Sequence, residues 1–179
     1  MQTRPTLAIH LKDLDAIMGN AQSDQQPSDQ QPLDALMRAF YEVISFEEGS
    51  APDWDTMASL FSKHARITRV TPEATDHMEL ADFRNMVEEL LEVGAVTSFF
   101  EREIARRTDR FGNVIHVASA YETRVSPTAV DFIERGVNSL QLIREEGRWK
   151  IVSLCWDSDA PFSLTTLESC MQGGSNGSN

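Results

Sequence analysis

Asp157, Glu101, Glu103, Glu122, His116, Tyr41, Tyr121 and Asn138 carry side chains of the types that can move a proton or steady a developing oxyanion. A carboxylate gains basicity when it is taken out of water, and neutral donors such as Tyr and Asn stabilise negative charge on a reacting oxygen. The residue types fit general acid–base chemistry. No local motif assigns any of them a role, so the elements that carry them must sort them. Asp157, His116 and Tyr121 are the expected catalytic players. Tyr41, Trp54, Glu101, Glu103, Glu122, Arg135, Asn138, Gln141 and Trp156 are expected in a pocket or a polar network.

Each of these residues also has a plainer reading. His116 alternates with Val114, Ala118 and Ala120 and can be a structural strand residue. Tyr121 and Gln141 can hydrogen-bond across the sheet at a dimer interface. Arg135, Asn138 and Glu122 can form a fixed polar network that sets strand register. Trp54, Trp149 and Trp156 suit a core or an interface. His10, His64, His77 and His116 lack metal-ligand spacing and Cys155 stands alone, so the sequence points to no metal and no cofactor.

The positioning elements follow from hydrophobic periodicity. Leu33, Leu36, Met37, Phe40, Tyr41 and Ile44 recur at helical spacing. Asp53 is placed to cap a second helix carrying Trp54, Met57, Leu60 and Phe61. Residues 65–70 are rich in β-branched side chains and predict a short strand. Asp76 and Glu79 have capping-box spacing ahead of a third apolar stripe (Leu80, Phe83, Val87, Leu90, Leu91) that stops at Gly94. From Val96 the pattern changes to long strands: 96–108, 114–125, 132–144 and 148–157. Strand parity puts His116 and Glu122 on one face and Tyr121 on the other, so without a bulge His116 and Tyr121 cannot line the same cavity. A two-residue turn at Glu146-Gly147 predicts Leu142 opposite Ile151, Asn138 opposite Cys155 and Gly136 opposite Asp157.

Both ends of the chain read as tails. Residues 1–32 end in a tandem pentapeptide, SDQQPSDQQP, whose polar residues and periodic Pro predict a flexible linker. The short apolar segment Leu7–Ile17 is a frayed extension or a docking element. Residues 33–159 form the expected domain, and 160–179 lose periodicity and read as disorder. A net charge of -12 argues against nucleic-acid binding. No stretch is apolar enough for a secretory signal or a membrane span, and two cysteines make no disulfide framework, so a cytoplasmic protein with no membrane partner is expected.

Helices first and long antiparallel strands afterwards predict an α+β fold. That order, together with FGNVIHVASAYETR and RGVNSLQLIREEGRWKIVSLCWD, resembles the nuclear transport factor 2-like superfamily, which includes the SnoaL-like and ketosteroid-isomerase-like domains. More narrowly, the two segments resemble an uncharacterised bacterial branch of it. The resemblance spans 33–157. It implies a cone-shaped roll in which a curved, mainly antiparallel sheet is wrapped by three N-terminal helices, with a pocket at the wide end for a small hydrophobic molecule, and commonly a dimer. Both faces of the last strand are apolar, so the pattern itself predicts a homodimer through the sheet face. The implied function is small-molecule binding, with a cofactor-free isomerase, dehydratase or hydrolase as the enzymatic form. A non-catalytic homodimeric interaction or accessory module is the alternative. A desolvated carboxylate or His beside a Tyr in the cone favours the enzyme; a cone filled by Trp, Phe and Leu favours the module.

Overall fold

The apolar stripe that begins at Leu33 forms the buried face of helix α1 (Pro27–Ile44), with Leu33, Met37, Phe40 and Tyr41 all buried. A computed structural model describes residues 27–157 and 162–172. Helix α1 starts earlier than predicted, taking in the second pentapeptide with Pro32 inside it. Pro32 is the sixth residue of the helix, past the first turn, and lacks the N–H that would bond the carbonyl four residues earlier. The rest of the expected linker and the Leu7–Ile17 segment lie outside the described residues.

Asp53 caps α2 (Trp54–Leu60), its carboxylate accepting the Thr56 N–H at 3.0 Å. Phe61 opens strand β1 (Phe61–Val70) and does not extend the helix; His64 accordingly lies exposed on this strand. Asp76 falls within a short strand β2 (Thr75–Met78), and the N-terminus of α3 (Leu80–Glu92) begins instead at Glu79, whose N–H is taken by Asp82 at 2.9 Å. The capping pair is thus shifted three residues from the predicted one. The four long strands follow as β3 (Phe100–Phe111), β4 (Val114–Arg124), β5 (Glu134–Glu145) and β6 (Arg148–Asp157).

All six strands form one curved, unclosed sheet in the order β2-β1-β6-β5-β4-β3. Every neighbouring pair is antiparallel except β1 with β6. The fold is therefore α+β. Helices α1, α2 and α3 pack against the sheet, and a core of Met37, Met57, Ile67, Val117, Leu140 and Ile151 fills the space between.

Two of the sheet's three register shifts lie among the long antiparallel strands, the third being in β1 between Phe61 and Arg66. In β3 the register slips between Glu103 and Ala105, and in β6 it slips so that Leu142 faces Ile151 while Gln141 faces Ser153. An extra residue on one strand increases local twist and kinks the pair. The turn at Glu146 (φ 49) and Gly147 (φ 78) is the predicted two-residue hairpin turn, both residues in the left-handed region. Beyond the bulge the unbulged register fails, and Cys155 lies opposite Ser139, not Asn138.

A fourth helix, α4 (Leu164–Gln172), occupies a stretch read as disorder from the sequence. Ser163 starts it by accepting the Thr166 N–H at 3.1 Å, and the helix packs on β3 and β4 with Cys170 buried near Arg107. Arg107 pairs with Ala118 on the convex face, the same face as His116. Part of the face assigned to a second subunit is thus covered within the chain. No helix among the described residues is long and apolar enough to cross a membrane.

Candidate functional site

Strand parity decides which side chains meet. On β4, Ile115, Val117, Ser119, Tyr121 and Thr123 face the helices; their partners across β5 are Leu142, Leu140, Asn138, Gly136 and Glu134. On β3, Glu103 and Glu101 lie opposite Tyr121 and Thr123 on the same concave face. A cavity of about 340 Å³ opens between this face and α1, α2 and α3. Its walls are apolar: Phe40, Met57 and Phe61 on one side, Phe83, Val87, Phe99 and Trp156 on another. Such a volume falls at the small end of ligand sites, roughly 300–1,000 Å³.

The polar residues of the cavity gather on one wall. They are Glu101, Tyr121, Thr123, Glu134 and Asn138, with Arg69 elsewhere on the lining. The Tyr121 hydroxyl donates to Glu134 Oε1 at 3.3 Å, and Asn138 Nδ2 donates to Glu101 Oε1 at 3.0 Å. Arg69 is already held by two hydrogen bonds to Asp76 Oδ2, at 3.0 and 2.7 Å.

Behind this wall runs a hydrogen-bonded chain with a single consistent direction. Ser119 Oγ donates to Glu103 Oε1 at 2.5 Å, so its only hydrogen is used and it accepts from Tyr41 at 2.7 Å. The Tyr41 oxygen in turn accepts from Asn138 Nδ2 at 3.4 Å. Asn138 therefore joins the cavity carboxylate Glu101 to a buried path that ends at Glu103. Arg106 closes the path, 3.4 Å from Glu103 and 2.7 Å from Asp34. The bulge at Ile104 is what turns Arg106 to the same face as Glu103.

This setting moves the proton affinities. Burial pushes the Glu101 carboxyl up to about 8, against a smaller lowering by the Asn138 amide; the Glu134 charge adds to the rise. Burial also raises Glu103, partly offset by Ser119 and Arg106. Both phenols are raised above their ordinary range, Tyr41 by burial and the Glu101 charge, Tyr121 by burial and the charges of Glu134 and Glu101. Tyr121 therefore stays a neutral donor at any physiological pH. Glu101 titrates near neutrality.

Gly136 is required by Tyr121. The phenol ring lies over the glycine, and a Cβ added there would stand 2.5 Å from the Tyr121 hydroxyl oxygen and 2.7 Å from its Cζ. Four of the five residues in the segment RGVNS thereby acquire a role. Arg135 bonds Glu122 on the convex face, Gly136 makes room for Tyr121, Asn138 holds Glu101, and Ser139 lies 3.2 Å from His116 Nε2.

The predicted site residues divide accordingly. Tyr121, Glu101, Asn138 and Trp156 line the cavity, while Tyr41 and Glu103 belong to the chain behind it. Trp54 does not line it; the indole stands edge-on to Phe83 at 6.3 Å and buttresses the wall. Asp157 is exposed at the end of β6, opposite Val70, and is not a cavity residue. His116 lies on the convex face near Asp109 and Ser139, and Gln141 is exposed on that same face. Neither His116 nor Asp157 can act with Tyr121, because alternation along a strand sends neighbouring side chains to opposite faces.

Glu122 is buried on the convex face beneath three guanidinium groups. Burial pushes its carboxyl up, but hydrogen bonds from Arg124, Arg135 and Arg102 outweigh that and hold it down at about 2. Arg124 also binds the Ala129 and Val130 carbonyls, so this group ties the β4–β5 loop to the sheet. The register-setting network is thus Glu122 with arginines; Asn138 faces the other way. Among the described residues, no group of His, Cys, Asp and Glu is arranged to hold a metal ion.

Glu134 is the functional candidate the sequence reading missed. It precedes Asn138 by four residues and so shares its face, a signal already present in the alternation of the predicted strand 132–144.

No family model matches the sequence, and no curated protein matches it. Solved structures do. A protein of cystatin-like fold from Nostoc punctiforme superposes with a TM-score of 0.60 at 10% identity, over 79% of this chain and 99% of its own. A nuclear transport factor 2-like protein from Shewanella baltica gives 0.54 at 14% identity, over 78% and 100%. A candidate dehydratase of the nuclear transport factor 2-like family from Streptomyces avermitilis gives 0.54 at 14% identity, over 75% and 99%. At these identities the likeness establishes the fold, which is the nuclear transport factor 2-like one.

Proposed function

We propose that the nuclear transport factor 2-like cavity of this protein is the active site of an acid–base enzyme. Its reaction is a proton transfer, in an isomerisation or dehydration, at a carbon beside a C=O or C=N group of a small, mostly apolar molecule. The observation that carries this reading is the juxtaposition of Glu101, Tyr121 and Glu134 on one wall of an otherwise apolar cavity. Glu101, titrating near about 8, can both give and take a proton around neutrality. Tyr121 is the neutral donor for the substrate heteroatom, and Glu134 is the second carboxylate of an acid–base pair. Asn138 holds Glu101 in place. The candidate dehydratase among the similar structures is in keeping with this reaction class.

The protein is proposed to act as a homodimer through the part of the convex face that α4 leaves open, where exposed Val114 pairs with Ile143.

The test is hydrogen–deuterium exchange at the α-carbon of a small cyclic ketone such as cyclohexanone, followed by NMR in D₂O. Exchange above the buffer rate should fall by roughly 10²-fold or more in Glu101→Gln, while His116→Gln and Asp157→Asn should leave it unchanged. No exchange above buffer, or equal rates in all variants, ends the proposal.

A further inference from the structure

Resting on the reading of Glu101 as the base of the cavity, we infer that Glu103 is its remote positioning residue. Acting through Ser119 and Tyr41, Glu103 fixes which end of the Asn138 amide meets Glu101. Glu103 itself does not line the cavity; it faces an open cleft between α1 and β3, in company with Asp34, Arg38, Glu42 and Arg106. Its influence passes through hydrogen bonds.

A count of hydrogens gives those bonds their direction. An ionised carboxylate only accepts, and the Ser119–Glu103 separation of 2.5 Å is that of a hydroxyl bound to a charged oxygen. Arg106, 3.4 Å from the same oxygen, favours that ionised form. Serine has one hydroxyl hydrogen, so Ser119 meets Tyr41 as an acceptor and the phenol hydrogen points to it. The Tyr41 oxygen is then left to accept, which it does from Asn138 Nδ2. An amide turned end for end would set Oδ1 against a phenol oxygen with no hydrogen to give. With Nδ2 so fixed, its second hydrogen goes to Glu101 Oε1 at 3.0 Å. Tyr41, Ser119 and Asn138 are all buried, where polar groups take their partners from the protein.

Two consequences reach Glu101. The amide N–H favours its ionised form, opposing the rise that burial causes. Oε1 is occupied as an acceptor, so the proton that moves in the reaction is carried on Oε2. The other groups around Glu101 are Tyr41 on α1, Tyr121 on β4 and Glu134 on β5, with Arg69 on β1 elsewhere on the lining. Those around Glu103 are Asp34 on α1 and Arg106 on β3. Without the acceptor at Glu103 or the hydroxyl at Ser119, the Tyr41 hydrogen is free to turn to Asn138 Oδ1. The amide then turns over, and Glu101 loses its donor.

Carbon-13 NMR of protein labelled at the glutamate carboxyls tests this by following the Glu101 midpoint through the neutral range, with Glu101→Gln identifying the resonance. Ser119→Ala and Glu103→Met should each raise the midpoint by about one pH unit, the worth of one hydrogen bond to a charged group. Glu103→Gln removes the same charge as Glu103→Met but keeps an oxygen acceptor for Ser119 and Arg106, so its midpoint should stay near the parent's. Equal shifts in Glu103→Gln and Glu103→Met with none in Ser119→Ala mean an effect of charge alone and overturn the inference. Unmoved midpoints in all three do the same. If Glu103→Met does not fold, Ser119→Ala set against Glu103→Gln decides. Cyclohexanone exchange on the same samples separates the two readings. Exchange in the parent with unmoved midpoints keeps Glu101 as the base and rejects Glu103; the expected midpoints without exchange in the parent keep the hold on Glu101 and reject the base.

Discussion

Replacing Glu101 with Gln should stabilise this protein, and the gain should grow with pH. The carboxyl is displaced from 4.5 to about 8, chiefly by burial. A group whose folded-state proton affinity is raised binds more protons folded than unfolded between those two values, so stability falls as pH climbs through that window. At about 1.4 kcal/mol per pH unit, the full displacement corresponds to roughly 5 kcal/mol, of which about 3 kcal/mol is felt at pH 7. Glu101 is only partly buried by surface, and the cavity beside it admits solvent, so a higher effective dielectric brings the measured effect nearer about 1–2 kcal/mol. Gln reproduces the protonated acid and can still accept from Asn138. Thermal melts of both proteins from about pH 5 to pH 8 isolate the effect, since every other titrating group is common to the pair. The variant should match the parent near pH 5 and melt roughly 2–8 °C higher at pH 7 to 8. A difference that stays constant with pH would refute the reasoning, as would a variant less stable throughout.

Other perturbations read separate parts of the structure. Gly136→Ala puts a methyl into the Tyr121 ring; the overpacking should cost about 1–3 kcal/mol in denaturant melts and shift the Tyr121 ring resonances, whereas an unshifted ring would mean the phenol does not lie over the glycine. Glu122→Gln loses the charge that gathers Arg102, Arg124 and Arg135. Its cost should be about 1–3 kcal/mol at pH 7. Because the folded carboxyl is held down at about 2, that stabilisation is complete above 4.5 and is lost as pH falls through the window between; a cost independent of pH from about 2 to 6 contradicts the assignment. For the assembly, sedimentation at micromolar concentration should give a dimer, and a monomer rejects the convex-face interface.

Much of the site was legible in residue types and alternation. The parity of β4 already separated Tyr121 from His116, and the structure keeps them on opposite faces. The two-residue turn at Glu146-Gly147 fixed the first pairings of the hairpin. What parity could not supply was the position of the bulges. An extra residue at Val152 or Ile104 leaves no separate mark in the hydrophobic pattern, yet it resets which side chains share a face. The same limit explains the weight placed on Asp157, which stands beside the cavity residue Trp156 in sequence and on the other side of the sheet in space.

By itself the sequence determined the α+β plan, three of the helices, the long strands and the list of residue types from which a site could be built. Those follow from local periodicity, capping and turn chemistry, all written within a few residues. Only the tertiary structure decided that Glu101, Tyr121, Glu134 and Asn138 meet, and that Asp157 and His116 do not join them. It also placed α4 on the convex face. Proximity across three strands depends on register, and desolvation depends on what the helices place over the sheet; neither quantity is local to any stretch of chain.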